Sequence, residues 1–322
     1  MTMKTLLQPE SPTFTLRAQT KRVTHPIAAV LLSFAFVLVS ILLAETLSGS
    51  LNTALSGLKQ SLVHQSAVFS AIAKILILWL LNVPIYLMLW GWLKWFERRP
   101  FGTLGFSRQG LVSGYLRGLC IGFLMISFAT GIAVLLNIGS FIPLSGPLEG
   151  VPALGGIMLV FLGWAVQASA EEVLYRGWLL QTISIRTNPW IGVLLSSLCF
   201  ACVHGLNNGF SPLVLCNLFL FGLFLALYRI AEGSLWGACA WHAVWNWALG
   251  NIYGAEVGGS AAEGGHLFHF QLAGPDWLTG GAFGLEGSIV NTTVFLIGIG
   301  HVFVMLRLRQ RKERRSVEQA NG

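Results

Sequence analysis

Apolar residues in this chain come in long unbroken runs, separated by shorter stretches where glycine, proline and charge collect. Runs of this length fit helices that cross a bilayer, which takes about 20 residues. The pattern predicts eight helices. The first runs from Ile27 to Leu47, followed by a polar segment from Asn52 to Ser66. The second, Ile75 to Leu93, ends in "WGWLKWFERR", an aromatic and basic belt suited to the membrane interface. The third covers Leu111 to Leu136, and "NIGSFIPLSGPLEGVP" after it is broken by Pro and Gly into an outer loop. A fourth helix starts near Ala153 and continues past Arg176 towards Ser184. Three more follow at Trp190–Leu206, Leu213–Tyr228 and Leu235–Ile252. A Gly-rich outer stretch from Tyr253 to Gly287 then leads into a last span, Ser288–Leu306.

Composition agrees with that pattern. Of 322 residues, 54% are hydrophobic and only 10% charged, where a soluble domain carries roughly a quarter charged. The expected fold is an all-α polytopic membrane helix bundle, with both termini cytoplasmic because eight spans return the chain to its starting side. The net charge of +7 has a distribution that points to orientation, not to nucleic acid. Of 20 Lys and Arg, 18 fall in segments that can share one side: Lys4 to Arg22, Lys94 to Arg117, the neighbourhood of Arg176 and Arg186, Arg229, and "RLRQRKERR". Lys59 and Lys74 are the exceptions. That asymmetry puts the basic side in the cytoplasm, with the tail against anionic lipid.

The chain therefore divides into a cytoplasmic tail (1–26), a membrane bundle (27–306) and a frayed basic cytoplasmic tail (307–322). The first apolar run resembles a signal peptide, but its length and the lack of a small-x-small site favour an uncleaved span. Cys120, Cys199, Cys202, Cys216 and Cys239 all fall in apolar runs, where they read as small buried hydrophobes without disulfides.

Ionisable groups inside a bilayer are costly and mark function. "SAEEVLYRG" holds Glu171, Glu172 and Arg176. Glu172 and Arg176 are four apart in the favourable acid-first order, a pair on one helix face. Glu171 lies about 100° away round the helix, so Arg176 does not neutralise both. "FACVH" sets Phe200 and His204 one turn apart, and "HAVWN" does the same for His242 and Asn246. At 1.5 Å per residue, Glu171 and His204 both lie about 20 Å from the cytoplasmic edge and His242 about 15 Å. An unpaired carboxylate, two imidazoles and an amide at shared depth are the parts needed to activate a water. "GGHLFHF" adds His266 and His269 at weakly metal-like spacing, in what reads as a flexible or interfacial loop.

These residues resemble the CAAX-processing and bacteriocin-immunity family of intramembrane proteases (CPBP or Abi), related to type II CAAX prenyl endopeptidases. Its signature is E-E-x-x-x-R, then F-x-x-x-H, then H-x-x-x-N. All three parts occur in order, as "EEVLYR", "FACVH" and "HAVWN", within a core of about 155–250. Tyr175 stands where the family commonly has Phe.

The resemblance implies a multi-pass hydrolase of the cell membrane (the inner or plasma membrane in a bacterium). Its substrate would be a membrane-associated peptide or protein, CAAX-like or of the bacteriocin and pheromone type. With no G-x-S-x-G and no Cys beside a His, water is the expected nucleophile. Glu171 is then the general base, His204 holds and polarises the water, and His242 and Asn246 donate to the oxyanion. Glu172, Arg176 and Phe200 support them. A zinc reading competes, with Glu171, His204 and His242 as ligands, although H-E-x-x-H is missing. A non-catalytic transporter, or an immunity or scaffold protein keeping the family core, is the other alternative.

Overall fold

Backbone polar groups at membrane depth find partners only within helices or closed barrels, and the long apolar runs fold as helices here. The computed structural model of the chain describes Leu7, Thr20 and residues 22–62, 66–261 and 263–321, with backbone alone for 48, 50–62 and 312–321. Lys4, Arg17 and Lys21 lie outside the described residues, as does the side chain of Lys59.

The helices are α1 (Pro26–Leu62), α2 (Ala67–Gly91, prolonged as a π-helix to Glu97) and α3 (Leu111–Leu135). Next come α4 (Leu154–Glu172), a π-helical segment (Val173–Leu179) and α5 (Leu180–Arg186), forming one continuous rod. They are followed by α6 (Pro189–Val203), α7 (Pro212–Glu232), α8 (Trp236–Trp247), the short α9 (Asp276–Thr279) and α10 (Ile289–Asn321). Strands β1 (Gly139–Ile142) and β2 (His269–Leu272) pair antiparallel, joining the loop after α3 to the loop after α8.

Seven helices among the described residues are long and apolar enough to cross a membrane. The remaining predicted span, the seventh in order, is α8 with its π-helical end to Ile252, which is helical but only seventeen residues long. Every residue from Gly237 to Asn246 is buried, so α8 is an interior helix shielded from lipid by its neighbours.

Two other differences have physical reasons. Where a polar loop is expected after α1, the helix continues to Leu62, and where fraying is expected from Arg307, α10 runs to Asn321. Charge alone does not stop α10, which has no Gly or Pro after Gly300, and α1 runs on through Gly49 and Gly57 because an isolated Gly costs a helix only about 1 kcal/mol. Cys199 and Cys239 are buried, but Cys120, Cys202 and Cys216 are exposed on outer helix faces, where a bilayer serves as apolar surroundings; all five are free.

Packing concentrates the bundle around α8. It lies against α3, α4 and α7, while α2 packs on α4 and α10 on α7. Phe221, Trp241, Trp245 and Phe295 stack or meet edge-on between α7, α8 and α10. Exposed Leu, Ile, Val and Phe on α1, α2, α3, α6 and α10 give the outside an apolar surface. Close approach of α3 to α8 depends on two glycines, as small residues permit in membrane bundles. A Cβ on Gly118 would meet the Gly237 carbonyl, and one on Gly122 would meet the backbone of Trp241.

Gly118→Val is expected to destabilise the folded protein by on the order of 1–3 kcal/mol through overpacking. Gly131→Ala, on the open face of the same helix with nothing nearby, is expected to be neutral or slightly stabilising. Thermal unfolding of both variants in detergent checks the contrast.

Candidate active site

The rod of α4 and α5 carries the first motif, and its switch to a π-helix begins directly after Glu172. Such wide turns inside α-helices are rare and often occur at functional sites. Glu172 and Arg176 are completely buried, and Arg176 Nη1 donates to Glu172 Oε1 at 3.0 Å. The guanidinium lies over the Phe200 ring at 4.1 Å from its centre, a geometry that favours a cation. The same Glu172 oxygen accepts from His242 Nδ1 at 2.9 Å. One buried carboxylate therefore ties α4, α8 and the Phe200 face of α6 together.

Glu171 points elsewhere. Its Oε1 accepts from Gln167 Nε2 at 2.6 Å. Its Oε2 is buried without a hydrogen-bond partner, 3.8 Å from His242 Nε2. That separation exceeds a direct hydrogen bond. The expected division between a neutralised Glu172 and an unpaired Glu171 is the arrangement seen.

Both histidines are oriented through Nδ1. His204 Nδ1 lies 2.8 Å from the carbonyl oxygen of Phe200, and a carbonyl only accepts, so Nδ1 carries the hydrogen and Nε2 is the free polar atom. His242 commits Nδ1–H to Glu172 in the same way. The expected donation from His242 to an oxyanion therefore requires a doubly protonated ring. Asn246 Nδ2 donates to Gln167 Oε1 at 2.9 Å, which leaves its second amide hydrogen uncommitted.

These groups share a cavity of about 320 Å³. Glu171, His204, His242, Asn246 and Gln167 form a polar wall, and Val37, Ile41, Ile77, Leu78, Leu81 and Ile85 of α1 and α2 form an apolar wall facing it. The structure thus brings together all four residues expected to act, with Phe200 lining the same cavity and Glu172 and Arg176 behind them.

Three cavity residues were not anticipated. Gln167 sits one turn before Glu171, a position the helical period could have flagged. Lys74, read as an outer-side charge, also lines the cavity and lies 3.9 Å from Glu263. Glu286 comes from the Gly-rich stretch read as an outer loop. It accepts from Trp245 Nε1 at 2.9 Å and from Gly258 N at 2.6 Å, and burial pushes its carboxyl above the ordinary range. Val257, Gly258 and Ser260 line the cavity beside it, so that stretch closes over the site instead of lying apart. No local pattern around Glu286 announces this.

The zinc reading requires Glu171, His204 and His242 to offer three ligand atoms to one centre. Among the described residues the one trio with ligand atoms all within 4.8 Å of one another is Glu149, His266 and His269. Glu171, His204 and His242 do not fit a shared metal in this arrangement, because the Nδ1 contacts to Phe200 and Glu172 fix the rings apart.

Arg176→Met is expected to cost about 3–5 kcal/mol of stability, because it strands a buried carboxylate. Glu171→Gln is expected to stay within roughly 1 kcal/mol, since it removes no paired charge. Chemical denaturation in detergent distinguishes the two.

Residues 153–248 match the model of a protein family described as type II CAAX prenyl endopeptidase, Rce1-like. The match spans about three-tenths of the chain and includes every motif residue from Glu171 to Asn246. No curated protein matches the chain.

Proposed function

Starting from a multi-pass membrane bundle whose core is Rce1-like, we propose that this protein is an intramembrane endopeptidase in which Glu171 activates water against a peptide bond. The observation that carries the reading is Glu171 Oε2, a buried oxygen without a partner, facing His242 Nε2 across 3.8 Å at the wall of a roomy cavity. An unpaired carboxylate there costs stability, and proton abstraction gives it a use.

The attacking water sits against Glu171 Oε2 and gives it a proton. His204 Nε2 accepts its other hydrogen, so the water oxygen presents a lone pair to the scissile carbonyl carbon. As the C–O bond forms, the carbonyl π electrons move onto oxygen. The free amide hydrogen of Asn246 meets that oxygen, and Gln167 holds Asn246 and Glu171 in register. Collapse of the intermediate breaks the C–N bond, and the proton on Glu171 passes to the departing amine. Glu172 and Arg176 contribute position: they set the His242 ring and hold the α4–α8 contact. No step is routed through a metal.

The apolar wall on α1 and α2 suits a membrane-associated peptide, and the polar wall receives its backbone. We assign the substrate class on that ground to peptides or protein tails presented from the lipid. The membrane is proposed to be the cell membrane, with the basic segments facing the cytoplasm.

Wild-type protein in proteoliposomes is expected to cleave members of a panel of membrane-anchored fluorogenic peptides. Glu171→Gln and His204→Asn are expected to lower the rate by about 10²–10⁴-fold, the usual contribution of a positioned acid–base group. Equal cleavage by wild type and by both folded variants would end the assignment.

A further inference from the structure

The second cluster of titratable groups lies outside the cavity, where the loop after α3 meets the loop after α8. Glu149 and His266 form a parallel bridge, with Gly150 N donating to the His266 carbonyl at 2.8 Å and His266 N to that of Leu148 at 3.0 Å. Three residues further on, His269 opens β2 opposite Ile142 of β1. The backbone therefore holds three side chains from two distant stretches at one point.

Their atoms are arranged asymmetrically. Glu149 Oε2 accepts from Ser145 N at 2.6 Å and Gly146 N at 3.2 Å, and those backbone donors hold its carboxyl below the usual range. Glu149 Oε1 faces both imidazoles, at 3.5 Å from His266 Nε2 and 3.4 Å from His269 Nδ1. Both nitrogens are buried and neither has a hydrogen-bond partner. One oxygen serving two rings at these lengths is a poor pair of hydrogen bonds.

The spacing does suit a shared centre. Zn–N and Zn–O bonds of about 2.0–2.1 Å in a tetrahedron put neighbouring ligand atoms about 3.3–3.4 Å apart. All three ligand atoms here lie within 4.8 Å of one another. The Glu149 and His266 side chains are 12% and 16% exposed, and that of His269 is 36% exposed, so the group is sheltered but reachable from outside.

We propose that Glu149 Oε1, His266 Nε2 and His269 Nδ1 form a binding site for a divalent zinc-type cation, with one position left for water, which clamps the two loops together. Two imidazoles and one carboxylate are the borderline donor set that zinc takes. All three ligands fall outside residues 153–248, and the site is separate from the proposed hydrolytic centre. The clamp joins the start of α4 to the stretch that covers the cavity. Glu149 stands just ahead of the turn Val151–Ala153 that starts α4, and the other two ligands belong to the stretch whose Gly258 and Ser260 line the cavity. Bound metal would stabilise that covering stretch in proportion to RT ln(1 + [metal]/Kd).

The test uses the full chain, purified in detergent after chelator treatment and titrated with Co²⁺ and then Zn²⁺ alone. One equivalent of Co²⁺ is expected to give the visible absorption of a low-coordinate N/O site, to be displaced by Zn²⁺, and to slow proteolysis in the 253–287 stretch. Glu149→Gln and His269→Asn, each checked for an unchanged size-exclusion profile, are expected to weaken binding at least about 10-fold, the lower end of what even outer-shell changes cost. Glu171→Gln and His204→Asn are expected to leave it unchanged. Absence of saturable binding at micromolar Zn²⁺ overturns the proposal. So does binding that survives both Glu149→Gln and His269→Asn, or that is lost with Glu171→Gln.

Discussion

A single oxygen, Glu172 Oε1, takes hydrogen bonds from Arg176 and from His242 in a place with no solvent exposure. A charge there is tolerable only with a cation and a second donor at hand, since the penalty for an isolated buried ion is several kcal/mol. The constraint works outward. Arg176 must lie flat on Phe200, so α6 is placed. The ring of His242 must turn its other nitrogen towards Glu171, so the face that α8 shows to α4 is placed as well. The close glycine contacts that bring α3 onto α8 then fix the remaining side of that helix.

Glu172 Oε1 is taken by Arg176 and His242, while its neighbour Glu171 keeps one oxygen without a hydrogen-bond partner at the cavity. Two adjacent carboxylates in an apolar bundle have opposite fates because they leave the helix in different directions. One lies wholly within the protein and the other on the cavity wall. On the proposed reading this separates orientation from chemistry: the paired acid aims an imidazole and the unpaired one accepts a proton. Gln167 links the two functions by holding both Glu171 and Asn246.

Much of this was legible from residue order. The three motifs, their shared depth and the split between Glu171 and Glu172 follow from helical spacing and from the cost of charge in lipid, both local properties. The boundaries of α3 and α7 also followed closely, because Gly and Pro punctuate them. What escaped depends on tertiary contact. Glu286 reaches the cavity through a non-helical stretch, held by Trp245 and Gly258, and no periodicity encodes such a path. Lys74 counted as a charge outside the membrane until packing turned it inward. The bounds of α8 followed closely, but its burial on all sides did not, because that depends on the helices packed around it. The family match covers the motif-bearing core but stops before the covering stretch, so it reports the same local signals and shares their reach.

That boundary has a consequence for how such a chain can diversify. The lid of the chamber, with Gly258, Ser260 and Glu286, is encoded after the motif-bearing helices, in glycine-rich sequence that tolerates insertion and replacement. A change of sequence there reshapes the mouth of the chamber while the acid and imidazoles on the helices beneath keep their places.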